Sequence, residues 1–395
     1  MLTLIENGLV QAPESKGRVP VLLANERIEK IGGIDRRALD RLGCEYEVID
    51  ATDCYVTPGI IDPHEHLLGG SGEGSLSRQS PMLFLTEIIR SGVTTVVGTL
   101  GVDTTMKTLP GLLARVKALN EEGLSTRMWT GGYNIPPLTI TGSVRSDMLF
   151  IDECVGAGEL AISDERSLQT SSDEFARHVL DTHIGGLLSG KSGITHIHVG
   201  DGRNRLEPLR ELLDNYDIKP EWLYPTHVER TPELIVEAIG LAREGSYVDI
   251  DVVEQKLAKD VHAYLDGGGP QDKLTVSSDS DSSTPDILFD QLCGLVVKHK
   301  LPLELMLSFC TSNTAAVLKL ESKGRLDEGK DADVLVLRKG SLEIVEVIAR
   351  GKRMVRDGSV AVREKFLEES SRSVRLTGVK FDPAVMSLSS DGLER

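Results

Sequence analysis

A chain of 395 residues, 40% hydrophobic and 27% charged, can build a large packed core with a modest second unit, and disorder is not its default. Its formal net charge of −17 argues against a binder of nucleic-acid backbones and against docking to an anionic membrane, since both footprints are basic. Cys44, Cys54, Cys154, Cys293 and Cys310 have irregular spacing and no CxxC pair, so they read as small buried hydrophobes rather than a disulfide framework or a zinc knuckle. The first ten residues lack the basic-then-apolar order of a signal peptide, and no apolar run approaches ~18 residues. The expected compartment is the cytoplasm, with neither nucleic acid nor membrane as partner.

In chain order, residues 1–57 read as short strands (2–5, 19–24 and 27–31) separated by turns at Glu6-Asn7-Gly8 and Gly32-Gly33. From about residue 57, short apolar strands alternate with helical stretches. Strands are expected at 59–62, 94–99, 125–130, 160–163, 194–199, 222–226, 247–252 and 274–277. The helix-like segments between them include 81–91, 109–122, 173–186, 206–215 and 231–244. Eight strands in this rhythm predict an α/β fold, a (β/α)8 TIM-like barrel over 58–325, with an open doubly wound sheet as the alternative. After a helical segment at 301–318, strands return at 332–337, 344–349 and 352–356. The two chain ends, 1–57 and 326–365, are expected to pair into a small β-sandwich, leaving 366–395 as a polar, Ser-rich tail.

The strongest local signal is Pro58-Gly-Ile-Ile-Asp-Pro-His-Glu-His66. Residues i and i+2 of a strand share a face, so His64 and His66 present two imidazoles at the C-terminal end of the first expected barrel strand. Imidazole nitrogen suits zinc. His198, His227 and Asp279 each end another expected strand, and catalytic groups in this barrel gather at such ends. His196 lies two residues before His198 and competes with it for the ligand role. His178, His183, His262 and His299 fall in helical or loop stretches and read as ordinary surface or satisfied residues.

These residues resemble the amidohydrolase superfamily, and more narrowly its isoaspartyl (β-aspartyl) dipeptidases. The likeness extends to Leu67-Leu-Gly-Gly-Ser-Gly-Glu73, Val96-Val-Gly-Thr-Leu-Gly101, Thr130-Gly-Gly-Tyr133, Thr139-Ile-Thr-Gly-Ser-Val144, Ala161-Ile-Ser-Asp-Glu-Arg-Ser167, Pro225-Thr-His-Val228 and Gly329-Lys-Asp-Ala-Asp-Val334. The best-known dipeptidases carry a carbamoylated lysine that bridges two metals. The matching position here is Glu159, and no lysine occurs between Lys117 and Lys191. The resemblance implies two zinc ions per subunit, bridged by Glu159 and held by His64, His66, His198, His227 and Asp279, with no need for bicarbonate.

By the same resemblance, Asp279 is the general base and acid, and Tyr133 donates to the developing oxyanion. Glu73 binds the free α-ammonium of a dipeptide substrate, Arg166 and Arg230 its carboxylates, and Ser283 adds a hydrogen bond. Val102 stands where a threonine is expected. A homo-oligomer is implied. The alternatives are an N-acyl amino-acid deacylase or a cyclic-amide hydrolase with the same centre, and a non-catalytic scaffold that inherited the fold.

Overall fold

The structure is a computed structural model, described over residues 2–41, 43–281, 283–373 and 382. Six strands form one parallel sheet in chain order: β1 (Ile60–Glu65), β2 (Val93–Gly98), β3 (Ser125–Thr130), β4 (Cys154–Ile162), β5 (Ile194–Val199) and β6 (Leu223–Thr226). A parallel pair follows, β7 (Val248–Asp251) and β8 (Leu274–Ser277). Every residue of these strands except Arg127 is buried, as expected of a parallel sheet covered on both faces.

The sheet curls until its ends meet the pair. Val228 N–H donates to the Asp249 carbonyl at 3.4 Å on one side. On the other, Asp279 N–H donates to the His64 carbonyl at 3.1 Å and His66 N–H to that of Ser280 at 3.3 Å. The ends of β1, β6 and β8 therefore lie around one opening.

The connecting helices carry the local signals their sequences promise. Leu109–Glu122 starts where the Thr108 side chain accepts the Gly111 N–H and stops at Gly123 (φ 112°), burying Leu109, Leu112, Val116 and Leu119 on one stripe. Ser172–Ser189 begins at Ser171 and ends at Gly190 (φ 75°). Three expectations change. The segment 301–318 is two helices, Leu303–Cys310 and Ser312–Val317, broken at Thr311 (φ −134°, ψ −84°). β4 begins six residues earlier than expected, because Gly156, Gly158 and Glu159 disguise a fully buried strand. Val144–Phe150, Leu257–Asp266 and Asp286–Val297 are additional helices. Of these, Asp286–Val297 is too uniformly apolar to show a helical period.

The chain ends form two further sheets. One has four strands: Arg27–Ile31, Val21–Ala24, Leu2–Glu6 and Tyr46–Asp50. In the other, of seven strands, Val334–Arg338 runs antiparallel to Cys54–Pro58, with Val336 opposite Val56. Ile5, Val21, Leu23 and Ile49 of the first share one apolar core with Val10, Val56, Val334 and Ile348 of the second. Cys54, Cys154 and Cys310 are buried, whereas Cys44 is exposed and Cys293 half-buried, which corrects the reading of all five as core residues. No helix among the described residues is long and apolar enough to cross a membrane. A 3₁₀ turn, Lys365–Leu367, spans the start of the expected tail, and within that tail Asp382 N–H donates to the Val360 carbonyl at 2.8 Å; residues 374–381 and 383–395 lie outside the described residues.

A buried ionic clamp joins the end sheets to the base of β1. Lys323, its side chain 5% exposed, bonds Asp333 at 2.5 Å and Asp331 at 2.8 Å, while the Asp333 carbonyl accepts the Gly59 N–H at 3.0 Å. Removing the cation leaves the buried Asp333 carboxylate without a counter-ion, whereas Asp331 keeps Arg27. Lys323→Met is therefore expected to cost about 3 kcal/mol in urea unfolding, against little for the exposed pair Lys30–Glu328 when Lys30 is replaced.

Candidate metal centre and active site

Period-two alternation places His64 and His66 on the inner face at the end of β1. His198 comes from β5. His227 and Asp279 follow β6 and β8 in left-handed backbone (φ 64° and 46°), a conformation that non-glycine residues seldom hold outside tightly determined sites. Glu159 comes from the interior of β4, where the register against β5 slips between Ala157 and Leu160. Gly158 permits the close approach: a Cβ there would lie 2.7 Å from that of His196. At Gly101 (φ 72°) a Cβ would lie 2.7 Å from His66 Cε1.

All six expected ligand residues converge. Glu159 Oε1 lies 3.3 Å from His64 Nε2 and 3.6 Å from His66 Nε2. Its Oε2 lies 3.2 Å from His198 Nδ1 and 3.7 Å from His227 Nε2. Asp279 Oδ1 approaches His66 Nε2 at 3.1 Å and His64 Nε2 at 3.3 Å, and its Oδ2 is 3.9 Å from His227 Nδ1. Among the described residues three sets, His64–His66–Asp279, His64–Glu159–His227 and His227–Asp251–Asp279, each bring three donor atoms within 4.8 Å of one another.

His196 is not a competitor for His198. It lies deeper, stacked on Trp129, with Nδ1 3.0 Å from the Tyr224 carbonyl oxygen and Nε2 2.9 Å from His64 Nδ1. Two carboxylates complete the pattern, and neither was singled out from sequence. Asp251 meets His227 Nδ1 at 2.6 Å, and Asp164 meets His198 Nε2 at 2.9 Å. Asp251 ends β7, so the strand-end rule that found Asp279 would have found it. Asp164 sits inside the Ile-Ser-Asp-Glu-Arg segment already noted.

This donor set fits divalent cations. A neutral imidazole carries one N–H, yet His198 and His227 each have a carboxylate at both ring nitrogens, so one nitrogen of each turns a lone pair toward a carboxylate unless a cation intervenes. His64 Nε2 and Glu159 Oε1 are buried without a hydrogen-bond partner. The electrostatics agree. Burial would lower His64, but the Glu159 and Asp279 carboxylates push it up to about 10. Burial would raise Glu159, but His64, His198 and His227 hold it well below the usual carboxylate range. Asp279 is held below it as well, against burial, by His64, His66 and His227. A field that draws protons onto imidazoles in this way also draws metal ions.

Outward of the cluster the partly exposed Glu73, Arg166 and Arg230 mark its solvent side, the cleft. Tyr133 O–H reaches His198 Nδ1 at 2.8 Å, and burial followed by the Glu159 charge raises its phenol well above 10. Arg166 forks onto Asp164 (Nε to Oδ1 2.8 Å, Nη2 to Oδ2 2.7 Å) and reaches Glu73 at 2.9 Å. Arg230 approaches Asp164 at 3.6 Å. Ser283, expected to reach the substrate, makes no hydrogen bond with these groups among the described residues.

The Amidohydrolase family model matches residues 55–354. A β-aspartyl dipeptidase from Fervidobacterium islandicum AW-1, solved with β-Asp-Leu, is 35% identical, superposes with a TM-score of 0.85, and covers 92% of this chain and 99% of its own. Curated relatives are more distant. An enamidase from Eubacterium barkeri is 22% identical over 361 residues, covering 85% of this chain and 86% of the relative. Adenine deaminase 1 from Latilactobacillus sakei is 23% identical over 352 residues, 84% of this chain but only 54% of the relative, so the chain spans about half of that protein's length. With the family model over most of its length and a dipeptidase structure similar almost end to end, the chain belongs to the amidohydrolase family.

Proposed function

We propose that the protein hydrolyses β-aspartyl dipeptides at a two-metal centre, within a closed (β/α)8 barrel formed by β1–β8 and flanked by the two end sheets as a sandwich. The observation that carries this reading is Glu159, whose two oxygens face the His64–His66 pair and the His198–His227 pair respectively. A glutamate so placed spans two cation positions without a carbamate. His64, His66 and Asp279 would hold one cation, His198 and His227 the other, with Glu159 shared. Zinc, favoured by four imidazoles, supplies Lewis acidity and a water that ionises near neutral pH.

The remaining work falls to this chain's own side chains. Asp279, kept ionised by its histidine neighbours, accepts the proton of the attacking water and returns it to the leaving amine. Tyr133 stays protonated across the working pH range and donates to the carbonyl oxygen as it gains negative charge. Glu73, 56% exposed at the cleft mouth, receives the α-ammonium of the aspartyl residue. Arg166 and Arg230, within reach of the same carboxylate at Asp164, offer forks for substrate carboxylates. Val102, next to Gly101 at the cluster, offers an apolar wall in place of a hydroxyl.

The similarity to a dipeptidase solved with β-Asp-Leu supports this substrate class. The match to a Geobacillus stearothermophilus D-hydantoinase, 45% identical over 67 residues, supports the cyclic-amide alternative only over 17% of the chain. Glu73 separates the two, since an acylated or cyclic substrate has no free ammonium for it to bind.

The zinc-loaded protein is expected to cleave β-Asp-Leu, to lose that activity on chelation, and to keep it in bicarbonate-free buffer. A steady-state assay in which intact, metal-loaded protein leaves β-Asp-Leu uncut would sink the reading. Glu73→Gln should lower kcat/KM for β-Asp-Leu by on the order of 10²-fold while zinc content stays at the wild-type level. Tyr133→Phe should reduce kcat by about 10²-fold with little change in KM, as loss of one oxyanion donor does. Glu159→Ala should lower bound zinc per chain in elemental analysis, and an unchanged metal content would remove Glu159 from the bridge.

A further inference from the structure

We propose that Asp164 is a positioning residue with two simultaneous partners: it fixes the tautomer of His198, and it holds the Arg166 guanidinium that faces the cleft. Its side chain is 3% exposed, so water is no substitute for the groups it binds. Oδ2 lies 2.9 Å from His198 Nε2, 2.7 Å from Arg166 Nη2 and 3.6 Å from Arg230 Nη1. Oδ1 accepts both the backbone N–H and the Nε–H of Arg166, each at 2.8 Å. Arg166 Nη2 and His198 Nε2, 3.3 Å apart, thus converge as two donors on one oxygen.

Both ring nitrogens of His198 face carboxylate oxygens; the Asp164 contact is the shorter (2.9 against 3.2 Å) and Nδ1 is the nitrogen turned toward the cluster, which assigns the hydrogen to Nε2. Three Arg166 N–H groups point at its two oxygens, so Asp164 serves as an acceptor. The Nδ1 lone pair then faces Glu159 Oε2 at 3.2 Å and accepts the Tyr133 hydroxyl at 2.8 Å. His64 and His66 meet Glu159 and Asp279 through Nε2, and His227 meets Glu159 through Nε2. His198 alone of the four presents Nδ1 to Glu159. The outer end of Arg166 reaches Glu73, and its guanidinium carbon stands 5.2 Å from the Tyr133 ring centre. Glu73, Arg166, Asp164 and His198 form one continuous chain from the cleft mouth to the buried cluster.

An amide at 164 cannot reproduce this. Asparagine has one accepting oxygen and one donating nitrogen, and the site presents donors on both sides. With its NH₂ toward His198 it donates to Nε2 and moves the ring hydrogen to Nδ1, the nitrogen that faces Glu159. With its NH₂ toward Arg166 it opposes donor to donor and releases the guanidinium.

The test compares wild type, Asp164→Asn and Arg166→Met as full-length, zinc-loaded proteins. Zinc affinity is read by chelator competition, kcat and KM on β-Asp-Leu, and coordination by ¹⁵N NMR of histidine-labelled wild type. The expected wild-type spectrum has one zinc-bound histidine coordinated through Nδ1 and protonated at Nε2, the others being bound through Nε2. Asp164→Asn should weaken zinc roughly 10–100-fold and raise KM, whereas Arg166→Met should raise KM with zinc affinity within about threefold of wild type. Zinc affinity unchanged in Asp164→Asn, equal zinc loss in Arg166→Met, or a wild-type spectrum without the Nδ1-bound ring would each overturn the assignment. The spectrum needs no variant, so it decides the case even if Asp164→Asn does not fold. Only the KM readout rests on the dipeptidase reading. Failure to cleave β-Asp-Leu would remove that reading, and the zinc and NMR readouts would still decide what Asp164 does to His198.

Discussion

Everything at the catalytic end of this fold is arranged around one buried carboxylate set among four imidazoles. Glu159 is almost fully excluded from water, where an isolated negative charge is very unfavourable. It is tolerable because His64 and His227, which the surrounding carboxylates shift toward their charged forms, stand against it. The four imidazoles come from three different strands or strand ends, so the curl of the sheet, the slip of register at Glu159 and the left-handed turn at His227 all serve one electrostatic requirement. The requirement runs both ways: without Glu159, His64, His66 and His227 would share only Asp279 as countercharge, and His198 would keep only Asp164.

Three of the four imidazoles are fixed from behind. His196 backs His64, Asp164 backs His198 and Asp251 backs His227, in each case at the nitrogen turned away from Glu159. Such partners set the ring's tautomer and restrict its rotation, which makes the donor geometry a property of the folded protein rather than of a bound ion. The buried acids deeper in the sheet have a different character. Asp249 is satisfied by hydroxyls of Thr226, Thr275 and Ser277, a neutral hydrogen-bond cage in place of counter-ions. Burial raises its carboxyl despite that cage, whereas the histidines lower Glu159. The two carboxyls are thus shifted in opposite directions by what lies against them.

The cleft above the cluster is coupled to it through Asp164 and Tyr133. Both touch His198, and Arg166 lies over the Tyr133 ring, so groups that would meet substrate are mechanically continuous with groups that would meet metal. Glu73 reaches this assembly from a glycine-rich loop after β1. Gly69 and Gly72 there hold left-handed backbone in which a Cβ would fall 2.3 Å from backbone atoms of Pro81 and Gln79. Small residues are needed where that loop folds back on itself, and the carboxylate is carried at its tip.

What the sequence determined by itself were properties that depend on local order. Period-two alternation set His64 and His66 on one face, strand ends pointed to His198, His227 and Asp279, and the absence of lysine between Lys117 and Lys191 excluded a carbamate. Caps and glycines bounded the helix Leu109–Glu122. Tertiary structure decided matters that depend on which nitrogen faces which oxygen. His196 and His198 share a strand face, and periodicity cannot separate them; depth alone sends one ring to His64 and the other to Glu159. Asp164 and Asp251 gain their importance only when distant strands bring imidazoles to them. A strand pattern reports direction and spacing along the chain, whereas the protonation and pairing of buried groups depend on contacts made across it.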